Sequence, residues 1–156
     1  ALRESINSVS ITTAINRDVL LSSIKQIVDK SGDIDLATNN VERLGQVIKV
    51  VGEDSGEAIG ELLAALSSSL AGTGVNVFDA LEVMISQGDK GNIVLEDMAR
   101  NAKKSIGAYA ALGMTGKRAF AEYQALLQSV GAILKPDEAV TAVKGFFRDI
   151  RKNLIV

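Results

Sequence analysis

The sequence predicts an all-α fold, a compact bundle of about six or seven helices that contains a duplicated helical hairpin. Apolar residues recur at helical spacing through most of the 156 residues, and no segment alternates apolar and polar residues as a paired strand does. One proline and only 4% aromatic residues leave a core of aliphatic side chains and alanine, as in packed helices. A Gly-apolar-cap tripeptide also occurs twice, as Gly74-Val75-Asn76 and Gly113-Met114-Thr115.

Each tripeptide predicts a hinge, by which we mean a tight connection between two helices. Glycine accepts the left-handed conformation that closes a helix, the apolar residue packs back on that helix, and Asn76 or Thr115 caps the next one. The copies lie 39 residues apart, and their flanks keep apolar character at that offset. Two copies are too few for a solenoid, so we expect a duplicated hairpin. The matching pairs are Ile59 with Met98, Leu70 with Tyr109, Ala80 with Ala119, Leu81 with Phe120, and Met84 with Tyr123.

Before the first hinge, three helices are predicted after a weakly helical N-terminal segment. Residues 1–16 are rich in Ser and Thr and weakly periodic, which indicates a short or frayed helical segment. Residues 17–30 have an amphipathic pattern that ends at Gly32. Residues 36–52 and 55–71 carry apolar stripes, and the latter helix ends before Gly72-Thr73-Gly74.

Four helices are predicted after the first hinge. Asn76 caps a short helix that ends at a loop, Gly88-Asp89-Lys90-Gly91. Residues 94–112 and 116–130 form the second copy, and Gly131 closes it. Pro136 begins the last helix, where a missing amide costs nothing. We divide the chain into an N-terminal helical lead-in, residues 1–34, and a helical core domain, residues 35–156.

The composition excludes several kinds of chemistry. The chain has no His and no Cys, which removes the usual general base, the thiolate nucleophile and the nitrogen and sulfur ligands of metals. Only carboxylate, Lys, Tyr, Ser or Thr chemistry remains. Because the groups that could carry it are better explained by structural roles, as described next, we expect no enzyme activity, no cofactor and no metal site. The longest uncharged stretch, residues 62–78, is broken by glycines and falls short of the ~20 apolar residues of a membrane-spanning helix.

Four polar groups could suggest a site, and a structural role is favoured for each. Acidic residues near the start of the third helix fit a favourable interaction with the helix dipole better than a cation site. Basic pairs near Tyr109 and Tyr123 could contact nucleic acid, but both tyrosines fall on apolar stripes and are expected in the core. The loop at 88–91 lacks the ending of a phosphate loop, and the serines at 67–69 fit close helix packing. The groups are Glu53, Asp54, Glu57 and Glu61; Lys103, Lys104, Lys117 and Arg118; Gly88 to Gly91; and Ser67, Ser68 and Ser69.

Charge is divided unevenly along the chain. Residues 1–89 hold 6 basic and 13 acidic side chains, whereas residues 90–156 hold 11 basic and 6 acidic ones. Solvated helix faces explain these charges most simply, and attraction between the halves of neighbouring chains is the alternative.

Residues 94–150 contain four motifs in order: an acidic pair Glu96-Asp97, the hinge segment Ala110-Ala111-Leu112-Gly113-Met114, a helix of residues 125–131 that ends at glycine, and Pro136-Asp137-Glu138-Ala139 leading through Ala142 to Phe146. In this order and spacing, the second half of the chain resembles the core region of phage tail tape measure proteins. Residues 35–88 are similar to the preceding helices of that region, with Gly74-Val75-Asn76 as the best match. Together these segments span about three quarters of the chain.

The resemblance implies a structural protein of the phage tail. Such proteins lie in the tail tube as a few parallel copies, set tail length during assembly, are shielded by assembly chaperones, and leave with the DNA at ejection. It implies tail-tube and tail-tip or baseplate partners, self-association, contact with a host membrane at ejection, no sequence-specific nucleic acid binding, and a location in the virion after assembly in the host cytoplasm. Family members are far longer, so the chain is expected to be a fragment or single domain.

The alternative function is that of a membrane-active helical domain, which forms pores or inserts into a bilayer. Helices rich in Ala, Gly and Ser at residues 57–72 and 105–113 could unpack onto a bilayer. An enzyme that uses carboxylates would need two acidic groups that converge in a cleft, and the sequence scatters them over polar faces.

Overall fold

The computed structural model describes residues 2–154 and confirms the all-helical prediction, with 82% of the chain in helices and no strand among the described residues. The described part contains nine α-helices, more than the six or seven expected, and one 3-10 turn, Glu53–Ser55. The helices are α1 Leu2–Thr13, α2 Arg17–Ser31, α3 Ile34–Asn39, α4 Val41–Val51, α5 Gly56–Ser69, α6 Val77–Lys90, α7 Leu95–Ala111, α8 Lys117–Val130 and α9 Pro136–Leu154.

The chain divides into two compact units, one up to Ala64 and one from Ala65 onward. In the first unit α1 packs against α2 and α4, and α2 also contacts α3 and α4. Its core consists of fully buried aliphatic side chains, which include Leu20, Ile27, Leu44, Ile48 and Ile59. The division at residues 34 and 35 expected from the sequence stays a prediction.

Helix α1 is a regular helix of 12 residues, longer than the short or frayed segment expected from its weak periodicity. Ile6 and Val9 are buried, and the Thr13 hydroxyl donates a hydrogen bond to the Val9 carbonyl. Gly45 of α4 lies against Val9, where a Cβ atom would clash with the valine side chain. Close packing on α4 therefore stabilises a segment whose own sequence signal is weak.

The single helix predicted over residues 36–52 is two helices, so that prediction is wrong. The helical segment begins before the predicted start at residue 36, with α3 at Ile34, because the Asp33 carboxylate accepts a hydrogen bond of 2.8 Å from the Leu36 amide. It breaks at Asn40, whose φ is −125° and whose side-chain amide donates to the Leu36 carbonyl. An asparagine side chain can take the place of a backbone hydrogen bond in this way. The helix therefore breaks at Asn40 although the apolar stripe continues past this residue.

The second unit contains a four-helix arrangement. Helix α6 packs against α7 and α8, α9 packs against the same two helices, and the closest backbone pairs are α6 with α8 and α7 with α9. Large rings fill the space between α7 and α8, with Tyr109 centred 5.2 Å from Phe120 and 5.7 Å from Tyr123. All three rings are almost completely buried.

Both hinge glycines adopt the predicted left-handed conformation, with φ of 71° at Gly74 and 73° at Gly113. Asn76 caps α6 as predicted, because its side-chain oxygen accepts hydrogen bonds from the amides of Phe78, at 2.9 Å, and Asp79. Nine of the ten residues paired by the duplication are buried, and Ala119 is half-buried. The two copies therefore keep the same inward-facing positions.

The cap predicted at Thr115 is wrong. Helix α8 begins after Gly116, which holds a φ of 87° and makes no side-chain cap. The Gly116 amide donates a hydrogen bond of 2.9 Å to the carbonyl of Thr73, directly before the first hinge, and the Gly116 carbonyl accepts one of 3.1 Å from the Tyr109 hydroxyl. The first bond joins the segments around the two hinges, and α8 begins one residue later than predicted.

The loop predicted at residues 88–91 is also misplaced. Helix α6 continues to Lys90, and the connection is residues 91–94. Gly88 is helical and lies beside the Met98 sulfur, where a Cβ atom would be only 3.0 Å away. A glycine there allows α6 to pass close to α7. In the sequence alone, the same glycine indicates a turn.

Candidate functional site

The acidic residues of the first unit lie on the 3-10 turn and the first turns of α5, where they hold α2 in place. Glu53 accepts a hydrogen bond of 2.9 Å from the Asn16 amide, and Glu57 accepts one of 2.7 Å from the Ser22 hydroxyl. Glu61 pairs with Lys30 at 3.6 Å. Three of the four carboxylates therefore bind partners on α2 or just before it. Within residues 2–154 no three acidic side chains form a metal-binding group.

The basic residues of the second unit lie on the exposed sides of α7 and α8. The Lys104 ammonium donates a hydrogen bond of 2.6 Å to the Thr141 hydroxyl, and Arg118 pairs with Glu122 at 3.0 Å. Lys103 and Lys117 are exposed. Because these side chains occupy the outside of helices whose tyrosines point inward, they do not alternate with aromatic rings as a base-stacking surface requires.

Tyr109 and Tyr123 occupy the core, as the sequence predicts. Tyr109 is fully buried and Tyr123 is 1% exposed. The Tyr123 hydroxyl donates a hydrogen bond of 3.1 Å to the Ser105 carbonyl. Burial raises the pKa of both hydroxyls. The two groups are therefore structural hydrogen-bond donors at neutral pH.

The serine run forms the last turn of α5. Ser67 and Ser69 are half-buried and Ser68 is exposed, with its hydroxyl 3.3 Å from the Ala65 carbonyl. This geometry fits the predicted packing role better than nucleophilic chemistry, since a serine nucleophile needs an adjacent base.

A buried glutamine clamp at the start of α7 was not predicted. The Gln128 side chain accepts a hydrogen bond of 2.7 Å from the Ile93 amide and donates one of 3.0 Å to the Ile93 carbonyl. Asn92 adds a bond of 3.0 Å to the Gln128 carbonyl. Gln128 therefore satisfies both backbone groups of a buried loop residue and fixes the loop of residues 91–94 against α8.

A second buried glutamine lies one turn earlier on α8. Gln124 is fully buried, and neither polar atom of its side chain has a hydrogen-bond partner among the described residues. It lines a small cavity of about 10 Å³ together with Ser105 and Asn101 of α7. A polar side chain at an apolar helix position is the sequence signal that could have identified both glutamines.

Helix α9 carries exposed apolar side chains on its C-terminal half. Phe146 is 55% exposed and Ile150 is 38% exposed, and their spacing of four residues places them on one side of the helix. Val143 is buried on the inner side, and the half-buried Phe147 ring lies 5.8 Å from the Tyr123 ring. We call Phe146 and Ile150 the α9 apolar edge. It continues the apolar face of the helix beyond the part that its own unit covers.

Compared with known protein families, with curated proteins and with solved structures, the chain matches none. Among the described residues, no helix combines the length and apolar character needed to span a membrane.

Proposed function

We propose that this chain is a structural and assembly domain of a phage tail tape measure protein, with no enzymatic role. Its work would be to associate in parallel copies within the tail tube, as part of a longer protein that determines tail length, directs tube assembly and takes part in DNA ejection. The partners proposed are tail-tube and tail-tip or baseplate proteins and tail assembly chaperones. The proposed location is the tail lumen of the virion, after assembly in the host cytoplasm.

The observation that supports this proposal best is the α9 apolar edge. Phe146 lies in the resembling segment, and Ile150 closes it. Association of copies through this edge would cover apolar surface that the second unit leaves exposed. The order of α7, the Gly113 hinge, α8, Gly131 and a proline-led α9 also follows the order of motifs on which the resemblance is based.

Cysteine cross-linking tests parallel association directly, because the chain contains no native Cys. In parallel copies each residue faces its own counterpart, so Phe146→Cys and Ile150→Cys should each form disulfide dimers under mild oxidation. Val50→Cys is the matched control, since Val50 is 85% exposed on α4 and is not part of the α9 apolar edge. Cross-linking no faster than in this control would contradict the proposal. If only one of the two variants forms disulfide dimers, the two copies are paired in antiparallel orientation.

The membrane-active alternative is supported by the same helix. Basic residues Lys144, Arg148 and Lys152 accompany the α9 apolar edge, as on helices that lie at a bilayer surface. Dye release from anionic liposomes separates the two functions. If the unaltered chain releases the dye and the Phe146→Ser variant does not, the membrane function is favoured over the assembly function.

A further inference from the structure

A chain of hydrogen bonds connects the two hinges of the second unit. The Tyr109 hydroxyl of α7 donates to the Gly116 carbonyl at 3.1 Å, and the Gly116 amide donates to the Thr73 carbonyl at 2.9 Å. Gly116 follows the second hinge and Thr73 precedes the first, so these bonds join two connections that are distant in the sequence. We call Thr73, Tyr109 and Gly116 the hinge link.

The first hinge depends on the Thr73 end of the hinge link. The Thr73 hydroxyl donates to the Leu70 carbonyl at 2.7 Å and accepts from the Val75 amide at 3.4 Å. Thr73 is 5% exposed and Val75 is also buried, so a bond broken here leaves polar groups away from water, which is costly. A displacement of Thr73 therefore disrupts the first hinge.

The second hinge depends on the other end of the hinge link. Tyr109 is fully buried, and its ring packs edge-on against Phe120 of α8. Its hydroxyl holds the Gly116 carbonyl, while the Gly116 amide is held by Thr73. Gly116 is therefore bonded on both sides and cannot move without losing a partner on α7 or beside the first hinge.

The duplication does not repeat this link. Leu70 occupies the position in the first copy that matches Tyr109 in the second, and leucine has no hydroxyl to donate. The two hinges precede α6 and α8, whose backbones pack closely against each other. One set of hydrogen bonds therefore serves both hinges, near the points where two adjacent helices begin.

We propose that the hinge link makes the two hinges open together, in one local step, while the rest of the second unit stays folded. Local opening favours segments with few buried contacts, and the hinge glycines Gly74 and Gly113 are both exposed. Coupling between two sites is reciprocal, so a change at either hinge must alter the opening of the other. This inference is independent of the proposed function, since it rests on contacts within the second unit alone.

Native-state hydrogen exchange, followed by NMR at low urea concentrations, measures the opening of each connection in the unaltered chain. The amides of Thr73 and Val75 report on the first hinge, and those of Gly113 and Gly116 report on the second. We expect all four to share one opening free energy and one urea dependence, with faster exchange than the slowest amides of the unit. Separate energies for the two hinges, or exchange only when the whole unit unfolds, would overturn the proposal.

Tyr109→Phe tests whether the hinge link causes this agreement. The variant keeps the ring and removes the hydroxyl, so opening at Thr73 and Val75 should become about two- to tenfold more frequent relative to the slowest amides of the unit, the usual effect of one lost hydrogen bond. Tyr123→Phe is the matched control, because it removes a buried hydroxyl whose partner is the Ser105 carbonyl and not a hinge. No change in Tyr109→Phe, or an equal change in the control, would contradict the role of the link.

Thr73→Ala tests the coupling in the opposite direction. It removes the hydroxyl bonds of the first hinge and keeps the backbone carbonyl, so opening at Gly113 in the second hinge should become more frequent. Thr13→Ala is the matched control, since Thr13 is 7% exposed and its hydroxyl binds the Val9 carbonyl in the first unit. If exchange at Gly113 is the same in Thr73→Ala and in the unaltered chain, the hinges open independently and the proposal is wrong.

Discussion

At the scale of single residues, Gly113 makes the clearest conformational demand. Its φ of 73° lies in the left-handed region, and a Cβ atom built on it would contact nothing within 4 Å. Any loss of stability on substitution therefore comes from backbone strain and not from a clash. We expect Gly113→Val to lower the free energy of unfolding by at least about 1 kcal/mol, measured by urea denaturation.

Gly107 is the matched control for this prediction. It also has open space around a built Cβ atom, but it lies inside α7 with ordinary helical geometry. Gly107→Ala should stabilise the chain by about 0.5–1 kcal/mol, because alanine loses less backbone entropy on folding. A Gly113→Val variant that unfolds at the same urea concentration as the unaltered chain would show that the hinge geometry is wrong.

The buried tyrosines make stability depend on alkaline pH. Burial raises the pKa of Tyr109 and Tyr123 above the value of about 10 in the unfolded chain. The unfolded state therefore loses its protons first as the pH rises. Stability should be fully present below about pH 10 and fall as the pH rises toward the folded-state pKa values.

Urea denaturation at neutral pH and above pH 10 measures this loss. Tyr123→Phe should be less stable at neutral pH, because the Ser105 carbonyl loses its hydrogen-bond donor, and should show a smaller further loss in alkali. Equal alkaline losses in the variant and the unaltered chain would contradict the role given to Tyr123.

At the scale of helices and their connections, the two hinges differ in how the following helix begins. Asn76 caps α6 with its side chain, whereas Thr115 precedes Gly116 and does not cap α8. Asn76→Ala should therefore destabilise the chain by about 1 kcal/mol, the usual value of a lost cap. Thr115→Ala should change stability by no more than a few tenths. Thermal or urea unfolding of both variants compares the hinges, and equal losses would contradict the assigned start of α8.

The helices that the sequence predicted correctly are those with strong local signals. Helix α2 ends at Gly32 and α9 begins at Pro136, because glycine and proline act through their own backbone geometry. The misplaced elements depend on particular contacts that helical periodicity does not show, two of them between residues far apart in the chain. The α3–α4 break needs a side-chain bond from Asn40, the regularity of α1 needs Gly45, and the delayed start of α8 needs the Thr73 carbonyl.

The same limit applies to the candidate site. The inward position of Tyr109 could be predicted from helical periodicity alone. The Gln128 clamp could not, since its partner Ile93 lies 35 residues away. Likewise, the sequence identifies Gln124 as a polar residue on an apolar stripe, but only the fold shows that α7 and α9 enclose it.

At the scale of the whole molecule, charge and apolar surface predict opposite responses to salt. The excess of acidic residues before residue 90 and of basic residues after it would favour head-to-tail attraction between chains. The α9 apolar edge favours association that does not need opposite charges. Some of the charges are already paired within each unit, as Glu61 is with Lys30 and Arg118 is with Glu122, which reduces what remains for a neighbouring chain.

We therefore expect self-association to persist or strengthen as sodium chloride rises, because exposed charges are screened beyond about 8 Å at physiological ionic strength while apolar burial is not. Sulfate should strengthen it further, since it is excluded from protein surfaces. Sedimentation equilibrium at low and high salt measures the effect, with Phe146→Ser as the variant that should weaken association in both. Association that falls steeply with salt would assign it to the charged halves, and a chain that stays monomeric throughout would contradict both explanations.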